Sequence, residues 1–178
     1  MTSPPGPTLK GSKRVPFTCL GSLCPSTCCG PFQGTKALQA VLTTDDLGSA
    51  LPHEPSSPVE GVSIFAQIRL TPDDIERLQT AGLDRMIVYR GDAVKPNAYL
   101  QLREDGSCAA LGRDGLCSIH PSRPTICRAF PFYLDLFAGL CMVDACPGVG
   151  KGEKTLDDLS VEIQAAVDMY RFWLDQIV

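Results

Sequence analysis

The stretch FTCLGSLCPSTCCGPF, residues 17 to 32, holds Cys19, Cys24, Cys28 and Cys29, the last two adjacent. Thiolates are ligands for zinc and iron, and an all-cysteine zinc site or an iron–sulfur cluster commonly takes four of them. Neighbouring side chains diverge, to opposite faces of an extended chain or by roughly 100° on a helix. Cys28 and Cys29 would therefore strain to hold one ion together, but readily serve two metal atoms, in separate sites or in one polynuclear cluster. A second group, Cys108, Cys117, Cys127, Cys141 and Cys146, is predicted to lie near turns and element ends, where loop backbone can wrap a metal and donate to thiolate sulfur. Nine cysteines allow two four-thiolate sites with one thiol left over. At least one of Cys28 and Cys29 is expected to pair with the second group, so that metal ties the two ends of the sequence together. Burial as small hydrophobes accounts for one or two of these residues, not for nine, four of them in a Gly/Pro/Ser/Thr-rich stretch. The spacing is that of neither a zinc ribbon nor a bacterial ferredoxin, and it leaves zinc and iron both open.

The elements that position these thiols are modest. The chain has 178 residues, enough for one domain with a small core and room for metal staples. A net charge of −4 gives no electrostatic support for a nucleic-acid partner, and no basic tract offers a membrane-surface contact. The opening MTSPPGPTLKGSKR has no apolar region or cleavage signature, and no apolar run approaches membrane-spanning length. A reducing, cytoplasmic setting is the expectation, in which clustered cysteines hold metal more often than disulfides; the odd cysteine count agrees.

Residues 1–14 are predicted to be a disordered tail, 15–178 a single cysteine-cluster metal-binding domain, and 43–61, with three prolines, a mobile loop within it. VSIFAQIRL, 62–70, reads as a strand. In LTPDDIERLQTAGL, Thr71 is a natural N-cap, Pro72 fits the first helical position, Asp73 and Asp74 suit the positive end of the helix dipole, and Gly82 can stop the helix. Ile75 and Leu78 make its apolar stripe. Residues 98–111 read as a hairpin turning near Glu104 to Gly106, and a second turn, Gly112 to Gly115, delivers Cys117. A short helix is predicted around Pro124, and a hairpin over 132–145 turning at Ala138-Gly139. The last helix is predicted over 155–178, capped by Thr155, with Leu156, Leu159, Ile163, Ala166, Tyr170, Trp173 and Ile177 as its core-facing stripe. The fold class expected is α+β: short hairpins and helices stapled by cysteine-bound metal, with a long C-terminal helix.

GSCAALGRDGLCSIHPSRPTICRAFPF, followed by CPGVGKGE, resembles the CxxCxxCC family of cysteine-cluster domains, also called YkgJ-like. The resemblance covers most of residues 17–153 and implies a zinc- or iron-chelating domain. Eight family cysteines map onto Cys19, Cys24, Cys28, Cys29, Cys108, Cys117, Cys127 and Cys146; Cys141 falls outside the pattern. LTPDDIERL is similar to the family's helix after the first block. The first block, Phe-x-Cys-x-Gly-x-x-Cys-x-x-x-Cys-Cys, is stretched beyond the family's usual spacing and resembles the flagellin lysine N-methylase branch. The segment before Thr71 is also long, and His120 stands where the family often has tyrosine.

Among the other polar residues, Arg123 and Arg128 flank Cys127 and either balance thiolate charge, bind an anion, or pair structurally with an aspartate. His120 and Cys141 are further ligand candidates, though a histidine before a proline is more often structural. CPGVGKGEK lacks the ending of a phosphate loop and any preceding buried strand, which excludes ATP binding. No catalytic residue is identified. The leading expectation is a cytoplasmic metal-binding protein holding zinc or iron, with an iron–sulfur cluster as one form. Its rivals are a metal-dependent modifier of protein or peptide, such as a lysine N-methylase-like transferase, and an interaction module whose zinc is purely structural, with an unknown protein or peptide partner. The chain is short for the transferase and carries no recognisable adenosylmethionine motif.

Overall fold

The computed structural model describes residues 13–24, 28–30, 38–42, 67–91, 96–135, 139–143 and 146–177. The expected tail, apart from Lys13 and Arg14, and the whole of the expected 43–61 loop lie outside the described residues. The architecture is α+β, as the sequence predicts, with three small antiparallel sheets and three α-helices among the described residues.

Strand β1 (Arg14–Phe17) pairs with β7 (Val149–Thr155). Strands β2 (Leu38–Leu42), β6 (Gly139–Val143) and β5 (Phe132–Asp135) form a sheet with β6 in the middle. Strand β3 (Ile87–Arg90) pairs with β4 (Asn97–Leu100). Helix α1 is Pro72–Thr80, α2 is Thr125–Ala129 and α3 is Ser160–Ile177.

The signals around α1 act as read. The Thr71 side chain accepts the Asp74 N–H at 3.2 Å, and Asp74 accepts the Thr71 N–H at 3.0 Å, a reciprocal capping box. At the other end Gly82 takes φ +69, and Leu83 N–H and Gly82 N–H donate to the carbonyls of Leu78 and Gln79 at 2.9 Å each. That is the paired closure in which glycine's freedom at positive φ is needed.

Residues 62–66 of the expected 62–70 strand lie outside the described residues; over its end, Arg69 makes an isolated bridge to Tyr99, flanked by backbone bonds from Leu70 to Ala98 and from Leu100 to Ile68. The 98–111 hairpin forms around its expected turn, where the Leu102–Cys108 bridge is flanked by backbone bonds from Arg103 to Ser107 and from Ala109 to Gln101. Strand β4 is occupied on one edge by β3, a strand not expected from the sequence, and on the other by the bridge to Arg69. Another expectation is corrected. Helix α3 starts at Ser160, not at Thr155. Thr155 is still paired in β7 with Arg14, and it exchanges cap bonds with Asp158. The intervening turn is closed by three-residue bonds from Leu159 to Leu156 and from Ser160 to Asp157. The hairpin β5–β6 and the turn before Cys117 form as predicted.

Two hydrophobic cores result. One joins Val15 and Phe17 of β1, Phe132 and Leu134 of β5, Leu140 and Met142 of β6, and Leu156, Leu159, Ile163 and Ala166 at and before α3. Tyr170 packs against this core; Trp173 is half-buried, and the Ile177 side chain lies outside the described residues. The second core joins Leu78 of α1, Ile68, Leu70, Ala98 and Leu100 with Cys29, Cys108, Ala110 and Ile119. Helix α2 touches both: Ile126 packs against the second core and Ala129 lies in the first. Arg69 bridges them near the C-terminal end of α3. Its guanidinium lies 5.2 Å from the Phe172 ring centroid and donates to Asn97 and Gln176.

Candidate metal centre

All nine cysteines are free thiols. The first block enters the second core at Cys28-Cys29. The Cys29 carbonyl accepts the Cys108 N–H at 2.7 Å, fastening this turn to the 102–108 bridge. Cys29 is buried and Cys28 exposed. The Cys29 thiol is within hydrogen-bonding reach of the thiols of Cys108, Cys117 and Cys28. Hydrogen bonding to these three, then burial, pushes the Cys29 pKa up; the same bonds favour the thiolate in its partners. Cys117 is lowered to about 6 by Cys29, then by the Ile119 N–H and the Arg123 charge, against burial. Cys28 is lowered to about 7 by Cys29, with Arg123 assisting against burial and the Cys117 charge. Cys108 is lowered by Cys29 and by the Ala110 N–H, which lies 3.4 Å from its sulfur. Both adjacent thiols thus meet the second group, where at least one was expected.

Cys127, on α2, keeps some exposed surface as a residue, but burial raises its thiol pKa, and the charges of Cys108, Cys28, Cys117 and Asp74 add to this. Cys146 is brought in by the β1–β7 pairing. Phe17 faces Val149, and the Thr18 N–H donates to the Gly148 carbonyl at 3.1 Å, so Cys19 leaves β1 beside the Cys146 turn. Burial raises Cys146, eased by the Gly148 N–H, and the charges of Cys24, Cys19 and Cys28 raise it further. Cys141 is elsewhere, buried at the middle of β6 opposite Tyr133 and Ala40, its thiol 3.7 Å from the Gly139 carbonyl.

The Ala110 N–H donates to the Cys108 sulfur at 3.4 Å, and the amides of Ile119 and Gly148, each two residues after a cysteine, favour the thiolate at Cys117 and Cys146. Such interactions stabilise a thiolate without adding a cation. Gly148 has a second constraint: a side chain there would run into the Thr18 carbonyl, and one at Gly152 into the Thr18 hydroxyl.

The two arginines separate. Arg123, 2.9 Å from His120 Nε2, is the cation that acts on Cys28 and Cys117. Arg128 donates to the Thr125 hydroxyl at 3.1 Å. The residue that the sequence reading undervalued is Asp74, assigned there to the helix dipole. It is fully buried and binds Arg77, the Thr71 N–H, and both the N–H and hydroxyl of Thr125. Its place in the capping box was legible; its partner fifty-one residues away was not.

Among the described residues, no three His, Cys, Asp or Glu side chains are arranged as a ready metal-binding group. The thiols lie as electrostatically coupled neighbours, short of a coordination polyhedron. As a donor set they fit zinc or iron: soft sulfur ligands, several biased towards the thiolate, with amide donors and the arginines Arg103 and Arg123 around them.

No helix among the described residues is long and apolar enough to cross a membrane. No curated protein and no solved structure matches the chain. Residues 18–147 match the family model CxxCxxCC, "Putative zinc- or iron-chelating domain". The match takes in all the gathered thiols and most of the chain, and on that basis the protein belongs to the CxxCxxCC family.

Proposed function

We propose that this domain holds zinc or iron through Cys19, Cys24, Cys28, Cys29, Cys108, Cys117, Cys127 and Cys146. The observation that carries the reading is the gathering of thiols from both ends of the sequence around Cys29, in a protein whose nine cysteines are free. Bound metal supplies the bonds that a small two-core domain lacks. The chain's own residues hold and orient the thiolates: the Ala110 amide donates to the Cys108 sulfur, the Ile119 and Gly148 amides favour the thiolate at Cys117 and Cys146, and Arg123 offsets charge at Cys28 and Cys117. The free thiols fit work in a reducing compartment such as the cytoplasm.

The test is anaerobic purification with iron, zinc and acid-labile sulfide measured on the same sample. Zinc without colour supports a structural role, and iron with sulfide an iron–sulfur centre. Structural zinc contributes about 10–16 kcal/mol in small peptides. Removing metal with chelator and reductant should therefore lower the melting temperature and flatten the near-ultraviolet spectrum. A metal-free chain that melts as the isolated protein does would overturn the reading.

A further inference from the structure

The eight thiols divide along the boundary between the two cores. Cys29 and Cys108 are buried in the core built on α1 and β4, and Cys117 and Cys127 pack against it. Cys146 packs against the other core, which includes Phe17, two residues before Cys19. The Thr18-to-Gly148 bond keeps Cys19 beside the Cys146 turn, and Cys24 joins them electrostatically. Cys28 stands at the junction: it is joined along the chain to Cys29, which is buried in the core built on α1 and β4, and it interacts electrostatically with Cys29, Cys117 and Cys127 as well as with Cys146.

We infer that the thiols form two tetrahedral four-thiolate metal sites that abut at the Cys28-Cys29 dipeptide. Cys29, Cys108, Cys117 and Cys127 make one site, and Cys19, Cys24, Cys28 and Cys146 make the other. The inference rests on the metal-holding function proposed above. Four thiolates complete the shell of a zinc or ferrous ion, and eight complete two. Adjacent residues that diverge can serve neighbouring sites without strain. Arg123 supports the division, because it acts on Cys28 and on Cys117, one thiol from each set. A four-thiolate site around a divalent ion carries about two net negative charges, so a guanidinium at the junction of two such sites relieves their mutual repulsion. Each ion then staples its own core, and the dipeptide couples the two.

Cobalt(II) is the probe, because its visible spectrum reports tetrahedral thiolate coordination. The reduced, metal-free full chain, titrated anaerobically, should saturate at two equivalents. Cys146→Ser and Cys108→Ser should each lose one equivalent and keep the other. Hydrogen exchange should rise in β1 and β7 for Cys146→Ser, and in β3 and β4 for Cys108→Ser. Cys146→His and Cys117→His retain a donor at less buried positions; each should still bind two equivalents with the spectrum of one site altered, which keeps the test open where a serine variant fails to fold. Saturation at one equivalent, loss of both equivalents from a folded single variant, or a single four-iron cluster with matching sulfide would overturn the two-site arrangement while leaving metal holding intact. A wild-type chain that binds neither cobalt, zinc nor iron would overturn the underlying function instead.

Discussion

Asp74 Oδ1 accepts both the backbone N–H of Thr125, at 2.9 Å, and its hydroxyl, at 2.8 Å. A carboxylate of the first turn of α1 thereby holds the first turn of α2, two residues before Cys127. This support, reaching across fifty-one residues, is polar and buried.

Replacing Asp74 should be among the costliest changes outside the cysteines. Asp74→Ala leaves the Thr125 donors, the Thr71 N–H and the Arg77 guanidinium without their partner. Breaking a buried pair in this way costs about 3–5 kcal/mol. Thr125→Val, which removes only the hydroxyl's bonds, should cost about 1–2 kcal/mol. Denaturant unfolding of the metal-loaded protein gives both values, and an Asp74→Ala loss under 1 kcal/mol would show that the clasp is not load-sharing.

Gly148→Ala should weaken metal retention at the β1–β7 end. The added methyl would meet the Thr18 carbonyl, whose residue also donates its N–H to Gly148. Overpacking of this kind costs about 1–3 kcal/mol, and here it displaces the strand that delivers Cys19. Metal release to a competing chelator should be faster than in wild type, whereas Gly115→Ala, at an open turn tip, should cost stability through its positive φ and leave the release rate close to wild type.

Arg123 and Arg128 should behave differently although both flank Cys127. Arg123→Gln removes the cation acting on Cys28 and Cys117, so metal should exchange faster and the charge-transfer spectrum shift, with Arg123→Lys restoring most of both. Arg128→Gln should change unfolding stability through the Thr125 bond and leave the spectrum unchanged. A spectral change confined to the Arg128 variant would reverse this assignment.

Cys141→Ser should keep the full metal content. Its thiol packs at the middle of β6, by the Gly139 carbonyl, and the polar replacement should show as lost stability only. Metal analysis beside Cys146→Ser, which should lose metal, checks the pair.

The sequence by itself determined what acts locally. The Thr71–Asp74 capping box, the Gly82 stop and the turn that delivers Cys117 each depend on bonds spanning a few residues, so residue type at fixed spacing was sufficient. The divergence of Cys28 and Cys29 was legible for the same reason, whereas the separation of Cys141 came from the resemblance to the family. Tertiary structure decided the pairings. Local pattern makes β4 half of a hairpin with the residues that follow it, but its ladder of four residue pairs is with β3. Residue type makes Thr155 a helix cap, but β1, from a distant part of the sequence, holds it in a strand so that α3 starts only at Ser160. Asp74 and Asp73 look alike in sequence; only the arrival of Thr125 makes one of them the buried clasp. Which thiols meet which was decided in the same way, because contacts between residues 17–29 and 108–146 depend on how two cores pack, and no spacing rule encodes that distance.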